Sequence, residues 1–554
     1  MKSLTQIARF DSWPPIGLCV LAFWLRVIGL NARPVWYDEA FAVLFAEKGF
    51  SAMLVGTLTP VQGAAADVHP IAYYTALNGW MQLLGQSPLA VRLLSVYAGV
   101  LAVAVCYGVG RQLFGKGSAR AGMLIAASLP FQIYYGQEAR MYASLAFFCA
   151  LTIWFYLRAL KGEGANRNWG SPDFNGNGLQ NLLILPEVGR LRTPISRSIR
   201  ESRNWLNWVG VGVSAAAALY MHNLAGIFLL VFGLSTLPKP KVFAKVALAG
   251  ALAFAMWLPW LLNLPGQFAK LQQAYWVTRP NLLTLLQTLI VYHSGEELLE
   301  ARVMLPLTLF VSLALPLMAL FQVFKGVVAP ALCGLPRPDT RRVGWLLALA
   351  FGPALLLFLV SLYQPIYIQR ALLPAGLMYA PVLGWLLWPP RLSLIHAPAP
   401  IRLLLALALG SVVIFGLTAH YTFAQFPRPN FQEAVTFLKT HFEPGDVVVH
   451  SNKLSFLPMY YYDRTLPQTF VADPSGSGSD TLALPTQQVL GLFASPDVAA
   501  VTWSAKRVWF VIFDKALAEF APTPHPHLVW LEDHYRRQSV ERFSDLLIYE
   551  FAAP

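Results

Sequence analysis

Long apolar runs constrain this chain of 554 residues more than any other feature of its sequence. Runs of about 17 to 25 apolar residues match the thickness of the hydrocarbon core of a bilayer. Such candidate spans lie near 13–30, 88–110, 121–136, 141–160, 205–221, 223–237, 244–264, 303–324, 343–363, 371–388 and 403–425. Charged residues make up only 12% of the chain, against about 25% in an average soluble domain. The sequence therefore predicts an α-helical polytopic membrane protein with about eleven transmembrane helices.

Basic residues fall mainly on one side of the predicted spans. If the N-terminus is cytoplasmic, the cytoplasmic loops hold 22 Lys and Arg residues, and the rest of the chain up to residue 426 holds 9. Short cytoplasmic loops of membrane proteins carry such an excess of positive charge. We therefore expect a multi-pass plasma-membrane protein whose N-terminus is cytoplasmic and whose C-terminal part is extracytoplasmic.

The apolar periodicity changes after residue 426, so we predict two domains. Residues 1–426 form the transmembrane module, and residues 427–554 form a small extracytoplasmic α/β domain. In the second domain we expect a helix at Asn430–His441 and strands at Val447–His450, Arg507–Phe513 and Leu546–Phe551. This region has 10 basic and 14 acidic residues, which argues against a nucleic-acid partner.

Two loop regions of the transmembrane module stand out. Residues 31–87 form the first outer loop, in which Ile71–Leu84 reads as a helix along the membrane surface. Residues 161–204 are rich in Gly, Asn, Ser and Arg. We predict that they form a disordered cytoplasmic insertion, with binding to anionic lipid headgroups as the alternative.

The first outer loop carries two adjacent acids, Asp38 and Glu39, directly after Trp36 and Tyr37. Ionisable residues near a membrane are costly and are often functional. Successive side chains of a helix differ by about 100°, so the two carboxylates cannot face one substrate atom. One of them can act as a general base, while the other binds the substrate or supports the site. The apolar surroundings raise the pKa of such a base unless a cation such as Arg140 offsets the effect. The alternative is that both acids simply start an interfacial helix.

Other polar residues of the outer loops are further candidates, each with a structural alternative. Gln137, Glu138 and Arg140 lie in the turn between the third and fourth spans, where Glu138 and Arg140 could instead form a loop salt bridge. His69, before Pro70, is either a metal ligand or a residue at the entry of a helix, and the second is favoured because one histidine with Asp67 gives too few ligands for a closed zinc site.

Three more candidates lie at the ends of predicted spans. His222 either lines a cavity or satisfies backbone groups at a broken helix. Arg92 and Arg370 carry guanidinium groups that match phosphate geometry, or else snorkel to lipid headgroups.

Five segments carry a resemblance to a known family. They are Trp36-Tyr-Asp-Glu-Ala40, His69-Pro-Ile-Ala-Tyr-Tyr74, Leu89-Ala-Val-Arg-Leu-Leu-Ser95, Tyr134-Tyr-Gly-Gln-Glu-Ala-Arg-Met-Tyr142 and Arg370-Ala-Leu-Leu-Pro374. Through them the chain resembles the multi-spanning GT-C glycosyltransferases of the protein-mannosyltransferase and aminoarabinose-transferase type, and most of all the dolichyl-phosphate-mannose-mannosyltransferase-like bacterial proteins of glycosyltransferase family 39. One departure is Ile71, where family members usually have a second proline.

The resemblance implies transfer of a sugar from a polyprenyl-phosphate carrier to an acceptor on the outer face. The acidic residue that acts as the base maps onto Asp38, with Glu39 as its acceptor-binding partner. The expected substrate-binding residues are Asp67, His69, Tyr74, Arg92, Gln137, Glu138, Arg140, Tyr142, His222 and Arg370. The resemblance leaves open whether the acceptor is a lipid, a glycan or a protein. It also leaves open whether the protein needs a divalent metal, and no other cofactor is expected.

The chemistry of the loops favours the same donor class. Nucleotide sugars lie on the cytoplasmic side, away from outward-facing acids, and the chain has no P-loop or GxGxxG phosphate cradle. We expect a single displacement in which Asp38 deprotonates an acceptor hydroxyl while Arg140 or Arg370 stabilises the departing phosphate. The alternative is a transporter or flippase of lipid-linked sugars, which would be expected to show inverted repeats.

Overall fold

The computed structural model describes residues 13–162, 194–273, 277–296, 304–333, 340–389, 397–423 and 428–554. Up to residue 423 the described chain is almost entirely helical. The helices are α1 Trp13–Val27, α2 Tyr37–Ala46, α3 Phe50–Leu58, α4 Ala72–Leu84, α5 Pro88–Phe114, α6 Lys116–Ser128, α7 Pro130–Gln137, α8 Tyr142–Gly162, α9 Pro194–Met221, α10 Ala225–Leu234, α11 Pro240–Leu261, α12 Leu264–Gln273, α13 Leu282–Ser294, α14 Leu305–Cys333, α15 Thr340–Tyr363, α16 Leu373–Leu387 and α17 Ala399–Thr422. A 3-10 turn, Gln369–Leu372, leads into α16, and a small hairpin pairs β1 Pro60–Val61 with β2 Ala64–Ala65.

Within the described ranges, seven helices are long and apolar enough to cross a membrane: α5, α8, α11, α14, α15, α16 with its 3-10 turn, and α17. The predicted polytopic helical fold is confirmed. The other four predicted spans fall in different kinds of helix. The first is α1, with only 15 residues, and the sixth is α10, with 10. The third is split between α6 and α7, and the fifth is the second half of the more polar α9.

The predicted insertion at 161–204 is only partly within the described residues. Residues 163–193 lie outside them. The prediction of disorder is wrong for the backbone of residues 194–204, because helix α9 begins at Pro194. Proline suits the first position of a helix because its missing N–H would have no partner there and its φ is already helical.

The break between α6 and α7 holds a buried cation. Pro130 starts α7 and cannot donate to the helical ladder, so carbonyls at the break are free. The Arg26 guanidinium from α1 donates to the Ala127 carbonyl at 3.2 Å and to the Gln132 carbonyl at 3.4 Å. Gln137, at the end of α7, returns the contact by donating to the Arg26 carbonyl at 3.1 Å. Helices α1 and α7 are therefore locked together directly before the turn at residues 138–141.

The close fit around Arg26 gives a stability prediction. A Cβ added at Gly136 would lie 2.9 Å from Arg26 Nε and 3.0 Å from its Cδ. We expect Gly136→Ala to destabilise the detergent-solubilised protein by about 1–3 kcal/mol, measured by thermal or denaturant unfolding. The matched control is Gly250→Ala in α11, where a Cβ meets nothing within 4 Å. That variant should be as stable as wild type or more so, and equal losses in both variants would contradict the steric cause.

After residue 428 the chain forms a six-stranded sheet in the order β5-β4-β3-β6-β8-β7. Its strands are β3 Asp446–His450, β4 Gln468–Val471, β5 Ala494–Ser495, β6 Arg507–Phe513, β7 Arg536–Phe543 and β8 Leu546–Ala552, and its helices are α18 Phe431–His441, α19 Lys453–Tyr462, α20 Leu484–Leu490, α21 Val498–Thr502, α22 Asp514–Ala518 and α23 Pro526–His534. The strands from β5 to β6 are parallel, whereas β8 is antiparallel to both of its neighbours. The three predicted strands and the first predicted helix are confirmed.

The central strand β6 is apolar on both sides because helices cover both faces of the sheet. Trp509 and Val511 pack with Leu438 of α18 on one face. Phe510 and Ile512 pack with Leu531 of α23 on the other. This is the continuous apolar pattern of a strand buried on both faces, and it explains why β6 could be predicted.

The sheet region is fixed against the helices of the first loop. Arg464 pairs with Glu47 at the end of α2 at 2.8 Å, and Thr486 Oγ1 donates to the Gly56 carbonyl of α3 at 2.9 Å. The Val35 N–H donates to the Tyr462 hydroxyl at 2.9 Å. The sheet region therefore holds the segment on which the two acids lie.

Candidate active site

Helix α2 presents the two adjacent acids to different surroundings. It begins at Tyr37 after the extended residue Trp36, so Asp38 and Glu39 lie in its first turn. The structure thus confirms that the acids start a helix, as the simpler alternative proposed. Their side chains nevertheless diverge: that of Asp38 is 17% exposed and that of Glu39 is 0% exposed.

Asp38 lies between two arginines. Arg370 Nη1 donates to Asp38 Oδ2 at 3.1 Å, and Arg140 Nε lies 3.9 Å from the same oxygen. Arg140 Nη1 also donates to the Asp38 carbonyl at 3.3 Å and to the Tyr74 hydroxyl at 3.2 Å. The guanidinium carbon of Arg370 stands 5.2 Å from the centre of the Tyr142 ring. These five residues, here called the Asp38 network, were all predicted as site residues, and the fold brings them together.

The arginines determine the charge of Asp38. Burial alone would raise the pKa of this carboxyl, but Arg140 and Arg370, with a further contribution from His69, lower it below its usual range. Asp38 is therefore a carboxylate at neutral pH and can accept a proton. Arg140 thus offsets the effect of burial on the pKa of Asp38, a possibility that the sequence left open.

Glu39 lies at the centre of a separate buried network. Arg92 binds it with two parallel bonds, Nε to Oε1 at 2.8 Å and Nη2 to Oε2 at 2.7 Å. Arg428 Nη1 donates to Glu39 Oε2 at 3.1 Å, and the Ala139 N–H donates to Oε1 at 3.0 Å. Arg428 Nη2 also donates to Glu138 Oε1 at 2.5 Å. We call Glu39, Arg92, Arg428 and Glu138 the Glu39 network.

The surroundings of Glu39 suit a structural role, in which it holds buried arginines in place, better than the acceptor-binding role that the resemblance implies. Burial would raise the pKa of Glu39, yet Arg92, Arg428 and the Ala139 N–H hold it at about 2. A carboxylate that is fully buried and already accepts four hydrogen bonds offers no free lone pair to an acceptor. The guanidinium of its partner Arg92, buried in α5, is occupied by Glu39 and by the Leu30 carbonyl, to which it donates at 2.6 Å.

Three buried polar groups within or next to the Asp38 network have no hydrogen-bond partner among the described residues: Arg140 Nε, the Tyr142 hydroxyl and Nε2 of His222, whose ring centre lies 5.8 Å from that of Tyr142. The Leu224 N–H donates to His222 Nδ1 at 3.1 Å, so the neutral ring carries its proton on Nε2. Burial, and after it the nearby His69, keeps the pKa of His222 well below its usual value. Buried donors are rarely left unpaired in native proteins. A bound anion or hydroxyl-rich group would supply the acceptors that these three groups lack.

The rim of the site contains the remaining histidine and aspartate. His69 Nδ1 lies 3.0 Å from Asp67 Oδ1, and the His69 ring centre is 6.0 Å from that of His222. No three His, Cys, Asp or Glu side chains of the described ranges come together as a metal-binding group.

The sheet region adds a charged cluster to this rim that sequence reasoning missed. Lys453 Nζ stands 5.9 Å from the centre of the Tyr37 ring and pairs with Asp480 at 3.0 Å. Lys270 of α12 pairs with the other oxygen of Asp480 at 2.9 Å. The loop that carries Asp480 is thereby tied both to its own domain and to the helical region.

Two predicted residues of the turn after α7 lie outside the Asp38 network. Gln137 Oε1 lies 2.7 Å from His420 Nε2, and its amide nitrogen donates to the Arg26 and Ile28 carbonyls at the end of α1. Glu138 binds Arg428 and not Arg140. The predicted alternative of a Glu138–Arg140 loop salt bridge is therefore wrong, because each residue pairs with a different part of the chain.

Arg428 is the most connected residue that the sequence analysis missed. It follows the last predicted span on the side where the charge bias predicts few basic residues, and that exception was the available signal. On its far side lies a cavity of about 630 Å³, which Arg33, Asn430 and Phe543 also line. None of the Asp38 network borders this cavity.

Comparisons with known proteins agree with this fold. Residues 68–171 match the family model described as dolichyl-phosphate-mannose-protein mannosyltransferase. The structure of ArnT from Cupriavidus metallidurans bound to undecaprenyl phosphate is similar, with a TM-score of 0.51, 14% identity and 97% of each chain covered. The archaeal oligosaccharyltransferase AglB from Archaeoglobus fulgidus, in complex with an inhibitory peptide and a dolichol-phosphate, gives a TM-score of 0.51 at 13% identity, covering 98% of this chain and 74% of that one. A search of the curated proteins gave no match.

The chain shares its fold with membrane-embedded glycosyltransferases of the GT-C type. Within that class, the segment from residue 68 to residue 171 relates the chain to the dolichyl-phosphate-mannose-protein mannosyltransferases. That segment includes His69, Arg92 and the turn with Glu138 and Arg140, so it covers parts of both networks.

Proposed function

We propose that the protein transfers a sugar from a polyprenyl-phosphate donor to an acceptor hydroxyl, with Asp38 as the general base. The observation that carries this proposal is the setting of Asp38, an ionised and partly exposed carboxylate between Arg140 and Arg370. The Tyr142 hydroxyl and His222 Nε2, which have no hydrogen-bond partner among the described residues, lie within and next to the same network. Relatives with the same fold bind undecaprenyl phosphate and dolichol-phosphate, which supports the donor class.

The proposed reaction is a single displacement. The Asp38 carboxylate takes the proton of the acceptor hydroxyl while the hydroxyl oxygen attacks the anomeric carbon of the sugar. The bond from that carbon to the phosphate oxygen breaks, and its electron pair stays on the phosphate. Arg140 and Arg370 lie where this negative charge develops. The products are the glycosylated acceptor and the polyprenyl phosphate, and Asp38 then loses its proton to solvent.

Donor binding should also change the basicity of Asp38. In the free protein Arg370 is hydrogen-bonded to Asp38, which makes the carboxylate a weak base. A bound phosphate competes for Arg370 and adds a negative charge near Asp38. Both effects raise the pKa of Asp38, so the base becomes effective when the donor is in place.

This linkage predicts different acid limits for two kinetic parameters. The pH profile of kcat/KM reports the free enzyme and that of kcat reports the donor complex. Asp38 is active when ionised, so activity falls as the pH drops through its pKa. We expect the acid limb of kcat/KM to lie below about pH 3.9, the ordinary aspartate value, and that of kcat to lie at higher pH. An acid limb of kcat at or below that of kcat/KM would contradict the competition for Arg370.

We further propose that the site faces the extracytoplasmic side. The distribution of 22 basic residues against 9 across the predicted spans supports this orientation. A polyprenyl-linked sugar can reach such a site from within the bilayer, whereas a nucleotide sugar cannot.

The test is product analysis with purified protein in liposomes. The probes are undecaprenyl-phosphate-linked hexoses and pentoses labelled in the sugar, offered with lipid, glycan and peptide acceptors. Formation of undecaprenyl phosphate in step with labelled acceptor supports the proposal. Labelled donor that only moves intact between leaflets would overturn it and favour a transporter.

A further inference from the structure

One guanidinium outside the Asp38 network contacts both chain segments that carry Asp38 and Arg140. Arg428, between α17 and α18, bridges Glu39 at 3.1 Å and Glu138 at 2.5 Å. The same group donates to the Tyr134 hydroxyl at 3.3 Å and stands 4.8 Å over the Trp36 ring. It therefore joins the start of α2 to the end of α7 and ties both to the sheet region.

We propose that Arg428 is a positioning residue that sets the spacing between Asp38 and Arg140. This inference rests on the proposed function, because Asp38 and Arg140 are the groups it positions. Arg428 touches neither of them and acts through their neighbours, Glu39 and Glu138.

The covalent connections make the coupling short. Glu39 directly follows Asp38 in the first turn of α2, so an ion pair at Glu39 fixes the rotation of that turn. Glu138 lies two residues before Arg140, and the Ala139 N–H between them donates to Glu39 Oε1 at 3.0 Å. Both ends of the Asp38–Arg140 contact are thus held by groups that meet at Arg428. The contact itself, at 3.9 Å, depends on the placement of two separate backbone segments.

Charge balance shows what the loss of Arg428 would do. The Glu39 network holds two carboxylates and two guanidiniums, and within it Arg92 forms an ion pair with Glu39 and not with Glu138. Without Arg428, Glu138 would be a buried carboxylate that is repelled by Glu39 more strongly than it is attracted by Arg370. The charged and titratable groups that face Glu138 are Arg428, Glu39, Arg370, Asp38, Tyr134 and Tyr135. Glu138 would then repel Glu39 or take up a proton, and in either case the turn with Arg140 would shift.

The experiment is a charge-rescue series in the full-length protein: Arg428→Met, Arg428→Lys, Glu138→Gln and the double variant Arg428→Met with Glu138→Gln. We expect Arg428→Met to lower kcat by about 100-fold, the effect of a misplacement on the order of 1 Å, with a smaller change in KM for the donor. Arg428→Lys should be intermediate, because an ammonium group cannot donate in a fork to both carboxylates. The double variant should recover most of the lost kcat, because the repelling carboxylate is gone.

A second arginine of the sheet region provides the matched control. Arg464 also pairs with a glutamate, Glu47, which directly follows α2, but this pair lies nearer the surface and, within the described part of the chain, has no hydrogen bond or ion pair to either network. Arg464→Met should keep kcat within about 3-fold of wild type, as expected of an exposed ion pair. An equal loss of kcat in Arg464→Met and Arg428→Met would overturn the inference, since general loosening of the domain would then suffice.

A physical readout separates this inference from the proposed function. Burial, opposed by Arg428, already raises the pKa of Glu138, and removal of Arg428 raises it further. A carboxyl whose folded-state pKa is raised stabilises the fold less as pH rises. The melting temperature of Arg428→Met should therefore fall more steeply from pH 5 to pH 8 than that of wild type, and Glu138→Gln should abolish the difference. If the wild-type protein transfers no sugar, the proposed function fails, but the melting temperatures still test the coupling between Arg428 and Glu138. If adding Glu138→Gln to Arg428→Met changes neither kcat nor the pH dependence of the melting temperature, the inference is overturned.

Discussion

Asp38→Asn should lower the rate of sugar transfer by about 1,000-fold, because loss of a general base typically costs between 100-fold and 10,000-fold. The amide has the shape of the carboxylate but cannot accept the proton of the acceptor hydroxyl. Donor affinity should change little or even increase, since Arg370 is released from its 3.1 Å bond to Asp38 and becomes available to phosphate. The measurements are product formation in liposomes and binding of undecaprenyl phosphate to the purified variant.

The Asp38→Asn variant should stay folded. Its side chain is partly exposed, and the buried Arg140 keeps its hydrogen bonds to the carbonyl of residue 38 and to the Tyr74 hydroxyl. Transfer at the wild-type rate would rule out Asp38 as the base. A collapse in melting temperature would instead assign it a structural role.

Glu39→Gln, one residue further along, should produce the opposite result. This change removes the charge that pairs with Arg92 and Arg428 in a site with no exposure to solvent. Breaking one partner of a buried ion pair costs about 3–5 kcal/mol, so the variant should be much less stable and poorly expressed. The measurement is the melting temperature and the yield of monodisperse protein in detergent.

The pair of variants separates the roles of the two acids. The variant with the lower melting temperature should be Glu39→Gln, and the variant with stable but inactive protein should be Asp38→Asn. A Glu39→Gln protein of wild-type stability with impaired acceptor binding would restore the acceptor-binding role that the resemblance implies.

The fold was predictable where local sequence pattern determines structure. Long apolar runs located the seven spanning helices, and buried strands such as β6 stood out because both faces are apolar. Strand β7 was not predictable, since its exposed run of Arg, Gln and Glu has no apolar alternation and pairs only at the sheet edge. The sequence predicts one continuous span across the break at Pro130, because membrane helices tolerate proline when neighbouring groups bond to the freed carbonyls. Here the neighbouring group is the Arg26 guanidinium.

The sequence predicted which residues belong to the site but not which of them contact each other. Ionisable groups in the outer loops pointed to Asp38, Arg140 and Arg370, which the fold then joins. Apart from the family resemblance, the sequence could not tell which of the two adjacent carboxylates is partly exposed and which is buried, because that depends on the rotation of α2 and on partners far away in the chain. Arg428 and Glu39 are separated by 389 residues, and no local pattern connects them.

The Arg26 contact also bears on the order in which the protein assembles in the membrane. The Ala127 carbonyl that holds this guanidinium is synthesised 101 residues later. During that interval the cation lies near the end of α1 and can stay hydrated by reaching toward the interface. Helix α1 therefore cannot take its final place until α6 and α7 have been inserted, and the first helix made is among the later ones to dock.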